Sequence, residues 1–383
     1  MITSHKILFQ NSNDIKQISD NSVDLMITSP PYPMIQMWDE MFSEQNPEIR
    51  KALDDNDGSL AFELMNRELD KVWDEVYRVL KPGGIACINI GDATRSINNS
   101  FQLFSSSSRI LNHCLKTGFS CLPKILWKKA TNAPNKFMGS GMMPPGAYVT
   151  LEHEYILILR KGAKRDFSTV TDKTNRRESG YFWEERNVWF SDVWEGLNGA
   201  QQKLDDKNVR ERSAAFPFEL AYRLINMFSL KGDTVLDPYL GTGTTMLAAM
   251  TCGRNSIGCE IDPFFKNIIK KRIDSIVEVS NRVMERRINS HRQFVKEREA
   301  KKEPLKYLNN NYDFRVMTRQ ETEILFNSLK SVHTVAENEY EVNYHERVSK
   351  DTVVQKTISE SYSQVSARET DNKKRLSVLT GFI

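Results

Sequence analysis

Two consecutive prolines, Pro30 and Pro31, stand directly after the apolar run Val23-Asp24-Leu25-Met26-Ile27, and they restrict the fold more than any other stretch. The run is short, apolar and bounded by turn residues, which is the pattern of a buried strand. Neither proline has a backbone N–H, so a β-ladder cannot continue through them. The strand must end at Thr28-Ser29. A stiff corner then presents the Ser29 hydroxyl, the Pro30 carbonyl and the Tyr32 ring together. Open α/β sheets hold their ligands at the carboxyl ends of strands, so this corner is a candidate site.

The chemistry that suits Ser29, Pro30, Pro31 and Tyr32 is attack by an exocyclic amino group of a nucleobase. The lone pair of such a nitrogen is delocalised into the ring. Acceptors that take both N–H hydrogens, here Ser29 Oγ and the Pro30 carbonyl, localise the pair, while Tyr32 stacks on the base. No covalent intermediate is needed. From the pentapeptide alone a plain turn with Tyr32 as packing reads equally well, and a second motif has to decide.

Up to residue 265 strands and helices alternate, which predicts an α/β fold with a largely parallel sheet. Strands are expected at Ile7–Phe9, Ile85–Ile90, Ile125–Trp127, Glu154–Leu159 and Thr234–Leu236. Helices are expected through Ile15 and Ile18, over Leu64–Leu80, Phe101–Leu115 and Pro217–Met227. Residues 34–60 read as a mobile insertion or an ordinary surface loop. Residues 162–212 mix Arg165, Lys173, Arg176, Arg177 and Arg186 with Tyr181, Phe182, Trp183 and Trp189, which suits a nucleic-acid contact surface or a linker with packed aromatics. Lys266 to Glu303 reads as long basic helix, either a phosphate-contacting arm or a solvated face. Residues 304–383 are polar, with one short helix expected near Glu321–Leu329, and read as a small or partly disordered appendage. The net charge of +3 is weak support for a polyanionic partner. Five cysteines without CxxC spacing point to a reducing compartment and no structural zinc. No signal peptide or apolar run of membrane length is visible, so a cytoplasmic protein without membrane contact is expected.

The second motif is Asp237-Pro238-Tyr239-Leu240-Gly241-Thr242-Gly243-Thr244-Thr245, directly after a strand and opening a helix. Its glycines let a ligand approach the backbone, yet no lysine follows them as in a P-loop, and the dinucleotide spacing is absent. An acid at the strand end suits a ligand with a positive group, and Glu260, at the end of the following strand, stands where an acid takes ribose hydroxyls. A nucleoside carrying an ammonium group satisfies both, and S-adenosyl-L-methionine is such a molecule.

With both motifs in hand, residues 5–265 resemble the amino-group DNA methyltransferases of type II restriction-modification systems. The order, catalytic motif before cofactor loop, is that of the permuted beta class. The resemblance implies a Rossmann-like, circularly permuted methyltransferase sheet with a mostly helical C-terminal extension. It implies that residues 1–161 form the catalytic half, 162–212 the target-recognition segment, 213–265 the cofactor half and 266–383 the extension. The cofactor set would be Asp237, Tyr239, Gly241, Thr242, Gly243, Thr244 and Glu260, with Phe216-Pro217 opening the helix beside the methionine part. Where the family often carries Gly-Asp this chain has Gln10-Asn11-Ser12, so Asn11 would accept from the adenine amino group through its side-chain oxygen. Ser-Pro-Pro-Tyr is associated with cytosine N4, and Asp-Pro-Pro-Tyr with adenine N6. Carbon-5 methylation is excluded because it uses a cysteine after proline, and every cysteine here follows Ala, His, Ser, Thr or Gly. The expected substrate is double-stranded DNA with the base flipped out. A monomer is expected, with a cognate restriction endonuclease that shares the site without obligatory contact. The alternatives are adenine-N6 transfer, an RNA or protein-glutamine substrate, and a catalytically silent DNA-binding protein.

Overall fold

The structure, a computed structural model, describes residues 1–129, 138–197 and 216–347. Its frame is a mixed sheet with strands β1 (Ile2–Phe9), β2 (Val23–Thr28), β3 (Leu80–Ile90), β4 (Phe119–Lys128), β5 (His153–Lys161), β6 (Val193–Trp194), β7 (Thr234–Asp237), β8 (Asn255–Glu260), β9 (Leu329–Ala336) and β10 (Glu339–Tyr344). They lie in the order β6-β4-β5-β3-β2-β7-β8-β1-β10-β9. β3, β2, β7, β8 and β1 are parallel neighbours, so the centre of the sheet is as expected. β5 runs antiparallel to both β3 and β4, which makes the sheet mixed. β7 lies beside β2, with Val235 opposite Leu25 and Leu236 opposite Met26, although some two hundred residues separate them in the chain.

β2 is buried along its whole length because both faces of the sheet are covered. Met26 joins one apolar cluster with Trp73, Val76 and Ile110, contributed by helices α3 (Gly58–Val79) and α4 (Ser106–Thr117). Leu25 and Ile27 join the opposite cluster with Leu220 and Leu224 of α7 (Phe218–Phe228) and Ala248 of α8 (Thr244–Cys252).

Several expectations are corrected. No helix forms through Ile15 and Ile18; the segment is held in turns by Arg78, which donates to both carbonyls, and by Glu75, which accepts from Ile15 N. Residues 34–60 are a packed layer with helices α1 (Asp39–Gln45) and α2 (Pro47–Asp54), burying Met34, Phe42 and Ile49. α3 starts at Gly58, where the Asp57 carboxylate caps Leu60 N. Lys81-Pro82-Gly83-Gly84 ends α3 as expected but runs inside β3, with Lys81 paired to Asp24 at 2.8 Å. Residues 93–104 are a hairpin turned by Asn98 and Asn99, both at positive φ, and α4 starts only at Ser106.

The largest correction concerns the extension, whose described residues are not mostly helical. After α9 (Phe265–Asp274) and α10 (Ile276–Glu299) the chain returns to strands. β10 pairs antiparallel with β1, from Ile2 opposite Asn343 to Lys6 opposite Glu339, and β9 forms the outer edge. Only a 3-10 turn, Arg319–Glu321, stands where a helix was expected. The cause is a period of two: Tyr340, Val342 and Tyr344 face inward and their neighbours do not. Residues 348–383 of the expected appendage lie outside the described residues.

Candidate active site

The proline corner and the glycine loop meet at the carboxyl edge of adjacent strands. Thr28 Oγ1, the last group of β2, donates to Asp237 Oδ1 at the end of β7, at 2.6 Å. Asp237 also accepts from Thr245 Oγ1 at 2.6 Å and from Tyr239 N at 3.0 Å. Its carboxylate is therefore enclosed, and burial pushes its pKa up to about 6. With both oxygens engaged, Asp237 ties the two motifs together from beneath and does not reach into the cleft.

At the proline corner Pro30 and Pro31 are buried, while Ser29 and Tyr32 are half-buried. Ser29 Oγ lies 3.1 Å from Tyr32 OH, which donates to Glu154 Oε2 at 2.9 Å. Asn89 Nδ2 donates to the same Glu154 oxygen at 2.7 Å and to Tyr32 OH at 3.0 Å. Lys129 Nζ compensates Glu154 at 2.5 Å. Burial first, then the charge of Glu154, raises the Tyr32 pKa, so the phenol stays protonated. Tyr32 O–H spends its hydrogen on Glu154, so the Ser29 hydroxyl donates to the Tyr32 oxygen. Asn89 Nδ2 makes only a long contact to Ser29 Oγ, at 3.4 Å, so that oxygen keeps acceptor capacity for a substrate amino group.

Asn89, Lys129 and Glu154 were missed in the sequence. The signal existed: Asn89 is the one polar residue within Ile85–Ile90, and Glu154 is an acid opening an apolar strand. Only the antiparallel placement of β5 brings its start to the carboxyl edge of β3, where Ile90 lies opposite Tyr155.

On the cofactor side Gly241 and Gly243 take positive φ of 53° and 81°, and the position of a Cβ on Gly241 is open space. Glu260 accepts from Gly241 N at 2.7 Å and Asp262 N at 2.8 Å, one bond per oxygen, so each oxygen keeps a lone pair. Burial raises its pKa. Thr242 and Thr244 are buried, and Arg272 of α9 donates to Thr242 O at 2.6 Å and to both hydroxyls at 2.7 and 3.2 Å. Desolvation lowers the Arg272 pKa to about 10. This arginine of the expected basic arm instead holds the glycine loop. The Tyr239 ring packs edge-on to Trp73, with centroids 6.3 Å apart. Asn11 is half-buried in the loop after β1, its side-chain oxygen accepting from Asn13 N at 3.0 Å, while Ser12 Oγ donates to Pro238 O at 2.8 Å. Phe216 and Pro217 are buried at the start of α7.

The segment 162–212 divides between the two edges of the sheet, and residues 198–212 lie outside the described residues. Arg165 pairs with Asp233 at 2.6 Å, and Asn175 of α5 (Val170–Glu178) donates to Lys231 O at 2.9 Å. Both partners precede β7, so this part stands at the amino edge, away from Ser29. α6 (Trp183–Trp189) then leads to β6, where Val193 and Trp194 lie opposite Leu126 and Trp127, near the carboxyl end of β4. Phe182 and Trp189 are core residues. Between β4 and β5 lies Asn132 to Gly146, a stretch rich in Gly, Pro and Met that reads as a second candidate for base contacts; its residues 132–137 lie outside the described residues. The remainder belongs to a short hairpin, Met138–Gly139 with Ala147–Tyr148, whose Tyr148 stacks on Phe101 at 4.5 Å.

A model of N6_N4 DNA methylases matches residues 23–271, which spans both motifs and the sheet between them. The chain belongs to that family. This methylase is 52% identical over 347 residues to the type II methyltransferase M.MthZI of Methanothermobacter thermautotrophicus, covering 90% of this chain and 96% of the relative. It is 51% identical over 282 residues to M.MjaI of Methanocaldococcus jannaschii, covering 71% and 91%. Among solved structures it resembles a putative DNA modification methylase of Thermus thermophilus complexed with S-adenosyl-L-methionine, with TM-score 0.53, 31% identity and coverage of 70% and 94%. The fold is thus the Rossmann-like fold of S-adenosyl-L-methionine-dependent DNA methyltransferases, and S-adenosyl-L-methionine is the cofactor. The residues present fit it: open space beside Gly241 admits a ligand against the backbone, and Glu260 retains acceptor capacity. No helix among the described residues is long and apolar enough to cross a membrane.

Proposed function

We propose that this methylase transfers a methyl group to the N4 amino group of a cytosine flipped out of double-stranded DNA, as the modification enzyme of a type II restriction system. The observation that carries the reading is the Ser29–Tyr32–Asn89–Glu154 chain of hydrogen bonds, ending on a neutral serine oxygen. An aspartate at position 29, the residue associated with adenine N6, would set a second carboxylate in the chain that already holds Glu154.

S-adenosyl-L-methionine supplies an electrophilic methyl group. Ser29 Oγ and the Pro30 carbonyl accept the two amino hydrogens and localise the nitrogen lone pair, Pro31 keeps the corner stiff, and Tyr32 stacks on the base. Glu154 and Asn89 fix the Tyr32 hydroxyl, and through it the orientation of Ser29. Glu260 holds ribose hydroxyls, Gly241 and Gly243 admit the cofactor to the backbone, and Phe216-Pro217 line its methionine end. Asp237, Thr242, Thr244 and Tyr239 shape the loop, and Asn11 offers its remaining acceptor capacity to the adenine. The proton lost after transfer goes to solvent, so no strong base is required.

Residues 1–161 and 213–265 act as two halves of one catalytic domain, and 266–383 extend it. Base reading falls to the 132–146 loop and, within 162–212, to the stretch that begins at Val193, of which the Val193–Trp194 strand lies at the catalytic edge. The relatives named as type II methyltransferases support a restriction-modification setting; in this reading a cognate endonuclease acts on the same site in the cytoplasm and this chain works as a monomer. The experiment is nucleoside mass spectrometry of DNA methylated by the purified enzyme. N4-methylcytosine is the expected product. N6-methyladenine overturns the choice of base, and cofactor binding without any methylated nucleoside overturns the enzyme reading.

A further inference from the structure

The basic and aromatic residues of 162–189 find no place in the methyl-transfer cleft. Most of them, Phe182 and Trp189 of the core excepted, line a recess of about 1260 Å³ at the amino edge of the sheet, together with the start of β3, the end of α7 and residues 318–323. β2 is six residues long, which puts this edge roughly 20 Å from Ser29 along the strand axis. Seven cationic side chains and three carboxylates face the recess. The carboxylates are already engaged. Asp24 takes Lys81 and lies 3.6 Å from Arg165, Glu323 pairs with Arg177 at 3.3 Å, and Glu321 accepts from Trp183 N and Thr318. Lys173, Arg176, Arg186 and Arg319 have no carboxylate partner within 4 Å among the described residues.

Two of these free cations are held in place by rings. The Arg176 guanidinium lies 4.5 Å from the Phe167 ring centre, and Arg186 lies 4.2 Å from that of Phe190. Tyr181 lines the recess beside them, and Trp183 at its rim is 41% exposed, an aromatic surface next to uncompensated charge. Fixed guanidinium groups with exposed rings match the phosphates and sugars of a nucleic-acid strand better than a diffuse positive surface would.

We infer that this recess is a second DNA-contacting site, which takes backbone phosphates of DNA outside the methylated site. A duplex lying straight across the carboxyl edge does not come back to the amino edge. The contact therefore belongs to a bent flank or to a second segment of the same molecule, and it adds affinity only on long DNA. The inference rests on DNA being the substrate but not on which base is methylated.

The test compares the native protein with the full-length variant Arg176→Glu/Arg186→Glu/Arg319→Glu on a duplex of about 14 base pairs and one of about 60, each with one site, across a salt series. The expected result is at least a tenfold loss of affinity on the long duplex. The log–log salt slope should fall by about 2 to 3, one phosphate contact per arginine. Methylation of the short duplex and S-adenosyl-L-methionine binding should be unchanged, which also shows that the variant is folded. Equal affinity and salt slope on the long duplex overturn the inference. An equal loss on both duplexes overturns it too, because the arginines then serve the cleft. Displacement of bound pyrophosphate without any change on long DNA overturns it in favour of a small-anion site. If the native protein methylates neither duplex, the functional reading fails while the length-dependent binding is still measured.

Discussion

Tyr32 is the residue on which the site turns, and the structure gives its hydroxyl a neighbour the pentapeptide does not contain. Glu154 fixes the phenol and Asn89 from outside the motif, while Lys129 balances its charge. Glu154→Gln keeps the shape but replaces one acceptor oxygen with a donor, so either Lys129 or the Tyr32–Asn89 pair loses its partner. The expected outcome is a fall in kcat of roughly 10- to 100-fold, the size of a misdirected polar group in a water-poor site. The dissociation constant for S-adenosyl-L-methionine, read by calorimetry, should stay within about twofold because the cofactor side is untouched. A parallel loss of cofactor affinity would mean that Glu154 supports the whole cleft and not the base pocket.

At the scale of elements, the join between β1 and β8 carries a pH dependence. His5 is fully buried on β1, with Nε2 2.8 Å from Thr3 Oγ1 and Nδ1 2.7 Å from Ser256 Oγ of β8. Burial lowers its pKa from 6.5 to about 3. In the folded protein the ring stays neutral while the unfolded chain binds a proton below pH 6.5. Stability is then complete above that pH and falls as the pH drops towards 3, by about 1.4 kcal/mol per unit from this group. His5→Gln removes a proton-binding site from the unfolded state only. Urea denaturation at pH 7 and pH 5 should therefore show a smaller drop for the variant, by roughly 2 kcal/mol. An identical drop in both proteins would assign the acid sensitivity elsewhere.

Across the whole molecule, the β9–β10 hairpin is part of the main body. Val342 has no exposed surface and packs in one cluster with Ile7 of β1, Met246 of α8 and Ile269 of α9. That cluster lies beneath the glycine loop, since a Cβ on Gly243 would meet Ile269 at 3.2 Å. Val342→Ala should lower the stability of the catalytic body by about 2 kcal/mol, as a buried large-to-small change does. Calorimetry should show one shifted transition, with S-adenosyl-L-methionine protecting it. A separate early transition, with the cofactor-protected one unmoved, would make the hairpin an independent unit.

The local signals that could be read in the chain were those set by backbone chemistry. Two prolines had to end a strand, glycines at 241 and 243 had to open a tight turn, and alternating apolar runs had to form a covered sheet. The proline corner and the glycine loop were legible as local structure for that reason. The alternation of Tyr340, Val342 and Tyr344 is equally local, but its polar surroundings mask it. What the folded arrangement alone decided was proximity across the chain: β5 turned antiparallel, which delivered Glu154 to Tyr32, and Arg272 reached inward to the glycine loop. It also sent the arginines of 162–189 to the far edge of the sheet. Composition gives a charged side chain its chemistry, but its partner depends on strand order and direction, which are set by packing over distances that no local pattern spans.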